Sequence, residues 1–206
     1  MITGISSVEN KISAILLAAG TSSRMGQPKM LLPWGSTTVL GQVISTFAAA
    51  GVEDIVVVTG GARQQVEKMV SGLANKVPVR TAFNPEYAHT EMLGSIQVGL
   101  EALCPGTRAA LIGLGDQPQV LEETIRQIST AYVRSGSLLV MPSYQNHRGH
   151  PWLVARTLWA EITALSSTTT PRQFLNLYAG QMEYIEADRS ILEDLDTPAD
   201  YSRQRP

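Results

Sequence analysis

The chain has 206 residues with 18 acidic and 16 basic side chains, a length that suits one α/β domain spanning residues 1–206. It contains no basic run and no apolar stretch of membrane-spanning length, so neither nucleic acid nor a lipid bilayer is an expected partner. The single cysteine, Cys104, cannot form an internal disulfide and, with the polar start of the chain, predicts a cytoplasmic protein.

Strand-like and helix-like segments alternate from Ile12 to Met141. Apolar runs predict strands at Ile12–Leu17, Asp54–Thr59, Val79–Phe83, Ala109–Leu114 and Leu138–Met141. Apolar residues at helical spacing predict helices at Val39–Ala48, Gln64–Val70, Ser95–Leu103 and Thr124–Val133. Near-continuous apolar strands joined by helices imply an α/β fold with a mostly parallel sheet and helices on both faces.

The pattern loosens after Pro142. Asn146–His150 predicts a turn between short strands, and Met182–Ile185 predicts another strand. Helices are predicted at Ala155–Leu165 and Gln173–Tyr178. We expect this second half to complete the binding cleft rather than to form a separate domain.

The loop after the first strand carries the strongest functional signal. Gly20 and its small neighbours free the backbone to turn and expose its N–H groups, and Arg24 and Lys29 follow in the same loop. No acidic residue lies between Asn10 and Val52 to neutralise these cations. Exposed N–H groups with two fixed cations are typical of a polyphosphate site.

The spacing of residues in the sequence disfavours several commoner binding and catalytic motifs. Five residues separate Gly20 from Gly26, so the loop is not a P-loop. Gly113 and Gly115 lack the third glycine of a dinucleotide fingerprint, because Pro118 takes its place. The chain has no Gly-x-Ser-x-Gly hydrolase elbow, and a zinc site at His147 and His150 would lack further ligands nearby in sequence.

The predicted strands end beside several residues of interest. Gly20, Gly60, Asn84 and Gly115-Asp116 each follow a strand, and ligands of open α/β sheets bind beyond the carboxyl ends of the strands. Asp116 is the best candidate for a Mg²⁺ ligand, although a helix-capping role would also suit it. Asp194 and Asp196 offer a second carboxylate; residues two apart in a strand share a face, and we favour Asp196.

The segment Leu17–Pro33, Leu-Ala-Ala-Gly-x-Ser-x-Arg-Met-Gly-x-x-Lys-x-Leu-Leu-Pro, resembles the signature of the MobA-like nucleotidyltransferases. Three later segments resemble further motifs of that family, in order: Gly115–Pro118, Arg148–Pro151 and Asp194–Pro198. Within the family, the chain resembles the cytidylyl branch, which includes molybdenum cofactor cytidylyltransferase. The reason is that this chain has Ala18-Ala19-Gly20 where the guanylyl branch usually has Ala-Gly-Gly. The resemblance implies a three-layer, Rossmann-like nucleotidyltransferase fold of the GT-A-like kind.

The resemblance also implies roles for individual residues. Transfer of CMP from CTP to molybdopterin would release pyrophosphate, with Mg²⁺, or Mn²⁺ in its place, held by Asp116 and Asp196. Arg24, Lys29 and Asp116 would be catalytic, and the nucleotide would be bound at Leu17, Ala18, Ala19, Gly20, Arg24, Lys29, Gly60, Asn84 and Gly115. Ser95, Arg148 and His150 would face the acceptor, and a molybdoenzyme or its chaperone would receive the product.

One residue departs from the family pattern. Relatives usually have Gly before Met92, where this chain has Glu91, and a carboxylate there can alter specificity or reduce activity. Three alternatives therefore remain: another NTP, GTP above all; another phosphorylated acceptor; and a non-catalytic module that binds nucleotide or cofactor. A dinucleotide-dependent reductase is disfavoured by the failed fingerprint.

Overall fold

The computed structural model of the protein describes residues 11–20, 25–166 and 168–206. Within them, seven strands form one sheet in the order β10-β7-β9-β6-β1-β4-β5, and a short eighth strand, β8, pairs with β7. A separate ribbon is formed by β2 and β3. The strands are β1 (Ile12–Ala18), β2 (Pro33–Trp34), β3 (Thr37–Thr38), β4 (Ile55–Thr59), β5 (Val79–Phe83), β6 (Ala109–Leu114), β7 (Leu139–Tyr144), β8 (His147–Arg148), β9 (Trp152–Ala155) and β10 (Met182–Glu186).

Helices cover both faces of this sheet. In the described residues they are α1 (Val39–Ala49), α2 (Arg63–Leu73), α3 (Met92–Ala102), α4 (Glu122–Ser135), α5 (Trp159–Ala164), α6 (Pro171–Leu177) and α7 (Pro198–Gln204). Short 3₁₀ turns lie at Lys29–Leu31, Arg156–Leu158, Ala179–Gln181 and Arg189–Leu192. None of these helices has both the length and the apolar character that crossing a bilayer requires.

The apolar core lies in two layers, one on each side of the sheet. Successive residues of a strand point to opposite faces, so Leu16 of β1 joins the cluster under α1, α2 and α4, whereas Ile15 joins the cluster under α3, α5 and α6. Both side chains are fully buried. The predicted three-layer α/β fold with a mostly parallel sheet is confirmed.

The second half of the chain differs from the prediction in several places, one of which is β9. Trp152–Ala155 forms β9, which lies antiparallel between β6 and β7, and the helix predicted from Ala155 begins as α5 only at Trp159. A short strand was expected after the turn at Asn146–His150, but a four-residue apolar run that is buried on both faces carries neither helical nor strand periodicity, so the bounds of β9 and its antiparallel position were not predicted. The sheet is therefore mixed rather than wholly parallel.

An ion pair between half-exposed Arg80 and buried Asp54 joins β5 to the residue before β4. Asp54 is 3% exposed and accepts hydrogen bonds from Arg80 and from the backbone N–H of Cys104, the latter at 3.2 Å. Burial alone would raise the pKa of the Asp54 carboxyl, but these hydrogen bonds outweigh it and lower that pKa. The pair therefore stabilises the fold above the unfolded pKa of Asp54, and the stabilisation is lost as the pH falls through the lower folded pKa.

Replacing Arg80 by Met should lower the free energy of unfolding by about 2 kcal/mol at pH 7, because the buried Asp54 carboxylate loses its charged hydrogen-bond donor and keeps the one from the Cys104 backbone. The loss should shrink in acid, where Asp54 becomes protonated. Urea unfolding followed by circular dichroism at pH 7 and at a series of pH values below the unfolded pKa of Asp54 would measure both effects. The matched control is Arg189→Met, whose side chain is 75% exposed and should change stability by less than about 0.5 kcal/mol. Equal losses in the two variants would contradict this assignment.

Candidate active site

Three parallel strands end together at one edge of the sheet. Leu17 of β1 pairs with Leu114 of β6, and Ala18 pairs with Thr59 of β4. The loops that follow are held close by backbone hydrogen bonds, from Gly115 N–H to the Leu17 carbonyl at 3.0 Å and from Gly61 N–H to the Ala19 carbonyl at 3.3 Å. The predicted nucleotide-binding segments after β1, β4 and β6 thus meet at one place.

Gly60 is required by this close approach. A Cβ atom at this position would lie 2.3 Å from the Ala19 carbonyl oxygen and 2.8 Å from the Tyr87 ring, so no larger residue fits without moving the loop after β1. Gly60 therefore shapes the backbone of the predicted nucleotide loop by lacking a side chain.

Two carboxylates converge on one ammonium group beside these loops. The Lys29 side chain forms ion pairs with Asp116, which follows β6, and with Asp196, whose Oδ1 atom lies 3.1 Å from Lys29 Nζ. Burial alone would lower the pKa of Lys29, but the negative charges of Asp116 and Asp196 outweigh it and raise that pKa. Residues 29, 116 and 196, which are far apart in the chain, are brought together by the fold, and their predicted roles toward nucleotide and metal stay predictions.

A third carboxylate lies next to this cluster. Gln117 donates a hydrogen bond from Nε2 to Asp194 Oδ1 at 2.7 Å, and a weaker one to the Ile191 carbonyl at 3.4 Å. Asp194 keeps an exposed edge, but surrounding protein atoms displace enough water to raise its pKa, and the charge of Asp116 raises it further. Asp194 thus has an amide partner, whereas Asp196 faces the Lys29 ammonium.

The strand that we expected around Asp194 and Asp196 is absent. Residues 193–196 are irregular, between the 3₁₀ turn at Arg189–Leu192 and α7. Leu195 between them is fully buried against Trp34 and Val39, and this anchors the segment beside the loop after β1. Asp194 and Asp196 lie on irregular backbone rather than on one face of a strand. This is why they contact different partners.

The donor set at Lys29 has the chemistry that a small divalent cation needs. The described residues contain no cluster of three or more His, Cys, Asp or Glu that could hold a metal, so the candidate protein ligands are Asp116 and Asp196. Both already face a single positive charge. Mg²⁺ favours one or two carboxylates completed by phosphate oxygens and water, which this pair would supply together with a bound triphosphate. Arg24, the other predicted catalytic cation, lies outside the described residues.

A cavity of about 720 Å³ opens beside β8 and the start of α3. The predicted acceptor residues Arg148 and His150 both line it, together with Glu91 and Arg172. The Arg148 guanidinium donates to the Tyr184 hydroxyl at 3.0 Å and to Asn176 Oδ1 at 3.2 Å. No motif contains Arg172, Asn176 or Tyr184, so these residues could not be found from the sequence. Only the fold brings Arg172 and Asn176 to the cavity and Tyr184 to Arg148.

His150 is held against the 3₁₀ turn at Arg189–Leu192. Its backbone N–H donates to the Ile191 carbonyl at 3.1 Å, and Gly149 packs against the same residue so closely that a Cβ would lie 2.4 Å from that carbonyl oxygen. Burial lowers the pKa of the His150 ring to about 4, so the ring is neutral at pH 7. His150 can therefore offer an acceptor a hydrogen bond but not a positive charge.

The side chains of Asn84 and Ser95 form a hydrogen bond with each other. Asn84 Nδ2 donates to Ser95 Oγ at 3.0 Å, and both residues are buried, with 2% and 6% of their surface exposed. Asn84 Oδ1 accepts from the backbone N–H of Glu86 at 3.0 Å. These side chains brace the loop between β5 and α3, and direct contacts from them to nucleotide or acceptor remain predictions.

Comparisons with known proteins show what the chain is similar to in sequence and fold. The MobA-like NTP transferase domain profile matches residues 14–184. The chain is 31% identical to molybdenum cofactor cytidylyltransferase of Escherichia coli K12, over 92% of this chain and 93% of the relative. It is 28% identical to nicotine blue oxidoreductase of Paenarthrobacter nicotinovorans, over 90% and 92% of the two chains. A manganese complex of Rv0371c from Mycobacterium tuberculosis H37Rv superposes with a TM-score of 0.73 at 27% identity, over 94% and 97% of the two chains.

Proposed function

Because the chain belongs to the MobA-like NTP transferase family, we propose that it transfers CMP from CTP to the phosphate of a molybdopterin-type acceptor and releases pyrophosphate. The observation that carries this proposal is the convergence of Lys29, Asp116 and Asp196 at the strand ends, next to the backbone of the loop after β1. The cytidylyltransferase relative supports the choice of nucleotide and acceptor. The product would pass to a molybdoenzyme or to its chaperone.

In the proposed reaction an oxygen of the acceptor phosphate forms a bond to the α-phosphorus of CTP. The bond from that phosphorus to the bridging oxygen breaks, and pyrophosphate leaves with the electron pair. Such a displacement needs positioning and charge neutralisation rather than a nucleophilic side chain. Lys29, with Arg24, would neutralise the triphosphate and the leaving pyrophosphate, while the backbone from Leu17 to Gly20 would hold the base.

Asp116 and Asp196 would hold Mg²⁺, or Mn²⁺ in its place, and the bound ion would neutralise charge on the phosphates. The manganese complex of Rv0371c supports a divalent ion in the family. Lys29 lies between the two carboxylates and lowers their mutual repulsion.

The base preference can be measured by thermal unfolding. Ala19 is largely buried at the loop after β1, and its methyl group leaves less room for a purine than the Gly of the guanylyl branch would. CTP with Mg²⁺ should therefore raise the melting temperature more than GTP does. A ligand at about 100 times its Kd adds roughly 2.7 kcal/mol of stability, which is easily detected. A larger shift with GTP would reverse the assignment to the cytidylyl branch but leave the transferase class intact.

A redox activity is the second candidate function, because a relative that aligns over nearly the whole chain is named an oxidoreductase. The two candidates give different products. A transferase releases pyrophosphate only when NTP and acceptor are both present, whereas a nicotinamide-dependent reductase consumes NADH or NADPH with no pyrophosphate. Measuring both products with the same preparation separates them.

A further inference from the structure

The acceptor cavity contains two opposite charges that do not pair with each other. Glu91 and Arg172 both line it, and within the described residues neither side chain forms a hydrogen bond or an ion pair. Arg148 in the same cavity differs, because Tyr184 and Asn176 already engage its guanidinium. Glu91 and Arg172 therefore keep their full capacity to bind a ligand that carries complementary groups.

Hydrogen bonds fix the backbone near both charged residues. Glu91 precedes α3, where its carbonyl accepts from Gly94 N–H at 3.0 Å and its carboxylate does not cap the helix. Arg172 lies in the first turn of α6, which a capping box between Thr170 and Gln173 fixes. Since the backbone at each position is held by its own hydrogen bonds, less conformational freedom is lost when a ligand binds.

The cavity between these charges is largely apolar. Met141, Trp152 and Leu175 are buried in its wall, and Met92 and Leu192 lie at the surface with 40% and 37% of their area exposed. Apolar walls with a few polar groups are typical of sites for ring systems, and about 720 Å³ is ample for two or three fused rings. The ligand that fits has a flat apolar body, hydrogen-bond donors at one end and an anionic group at another.

We propose that Glu91 and Arg172 determine which acceptor binds. The Glu91 carboxylate accepts two N–H bonds from the amino group and the adjacent ring N–H of a 2-amino-4-oxo heterocycle, a bidentate pairing for which its two oxygens are suited. Arg172 binds the anionic group of the same molecule. This inference rests on the proposed function, since it takes the cavity as the acceptor site. It gives Glu91, which departs from the family pattern, a role in specificity.

Calorimetry on the full chain without nucleotide tests the proposal with a matched pair of probes. Pterin-6-carboxylate carries the 2-amino group, and lumazine-6-carboxylate has an oxygen in its place. The wild type should bind the pterin about tenfold more tightly, as expected when a charged hydrogen-bond acceptor loses its donor. Glu91→Gln should remove this preference. Arg172→Met should weaken both probes about tenfold but leave unsubstituted pterin, which lacks the carboxylate, nearly unchanged.

Matched controls are Glu101→Gln, at the far end of α3, and Arg126→Met on α4; both residues are exposed and lie outside the cavity. Each control should retain the wild-type preference. Equal binding of the two probes by the wild type, an unchanged preference in Glu91→Gln, or no binding of either probe would overturn the proposal. Pyrophosphate release from CTP and molybdopterin is measured separately. Release without probe discrimination refutes only this inference, whereas discrimination without release refutes only the proposed transfer.

Discussion

Replacing Asp116 by Asn should lower turnover by a factor on the order of 10² to 10³, comparable to the loss of one electrostatic stabiliser in other active sites. The substitution is nearly isosteric, but it removes one of the two carboxylates that meet at Lys29. We expect the fold to survive, since the change also relieves repulsion between Asp116 and Asp194. Pyrophosphate release at saturating nucleotide, together with a melting curve, would measure both effects.

Asp188→Asn is the matched control for this variant. Asp188 accepts from Ser190 N–H at 2.7 Å, and an Asn side chain can keep that hydrogen bond. Its turnover and melting temperature should both equal those of the wild type. If Asp116→Asn also retained wild-type turnover, the metal-binding role proposed for Asp116 would have to be abandoned.

Lys29→Ala should lower turnover by a similar factor, on the order of 10². The variant loses the cation that is proposed to neutralise the triphosphate, and it leaves Asp116 and Asp196 facing each other without the ammonium between them. Nucleotide binding should weaken as well, and titration with CTP in the presence of Mg²⁺ would measure this directly.

The control for Lys29→Ala is Lys68→Ala, because Lys68 lies exposed on α2 away from the strand ends. It should bind CTP as the wild type does and change stability by less than about 0.5 kcal/mol. If Lys29→Ala melted well below the wild type but bound CTP normally, Lys29 would be a structural residue and its catalytic role would be wrong.

Much of the fold could be predicted because its central strands are nearly continuous apolar runs in the sequence. Five buried residues in a row, as in β4, leave little alternative to a central parallel strand, and the predicted strand and β4 differ by one residue at Asp54. The bounds of β9 and its antiparallel position could not be predicted, since four apolar residues next to a helical pattern fit either structure. Helix α7 was missed as well; it begins at a Thr197–Asp200 capping box, a signal that was present in the sequence.

Part of the candidate site could also be predicted from the sequence, and part could not. Asp116 and Lys29 could be expected to meet because both follow central parallel strands, whose carboxyl ends share one edge of the sheet. The hydrogen bond from Gln117 to Asp194 joins residues 77 positions apart and depends on an irregular segment, so no local pattern encodes it. The neutral state of His150 was equally hidden, because it results from burial by residues distant in sequence.

Pyrophosphate release, measured with the full chain, Mg²⁺, isolated molybdopterin and each of the four NTPs in turn, tests the central claim most directly. We expect release to depend on both nucleotide and acceptor, to be fastest with CTP, and to fall in Asp116→Asn. Faster release with GTP would correct the base and keep the reaction. No release above the acceptor-free background with any of the four nucleotides would contradict the proposed transfer of CMP to a molybdopterin-type acceptor.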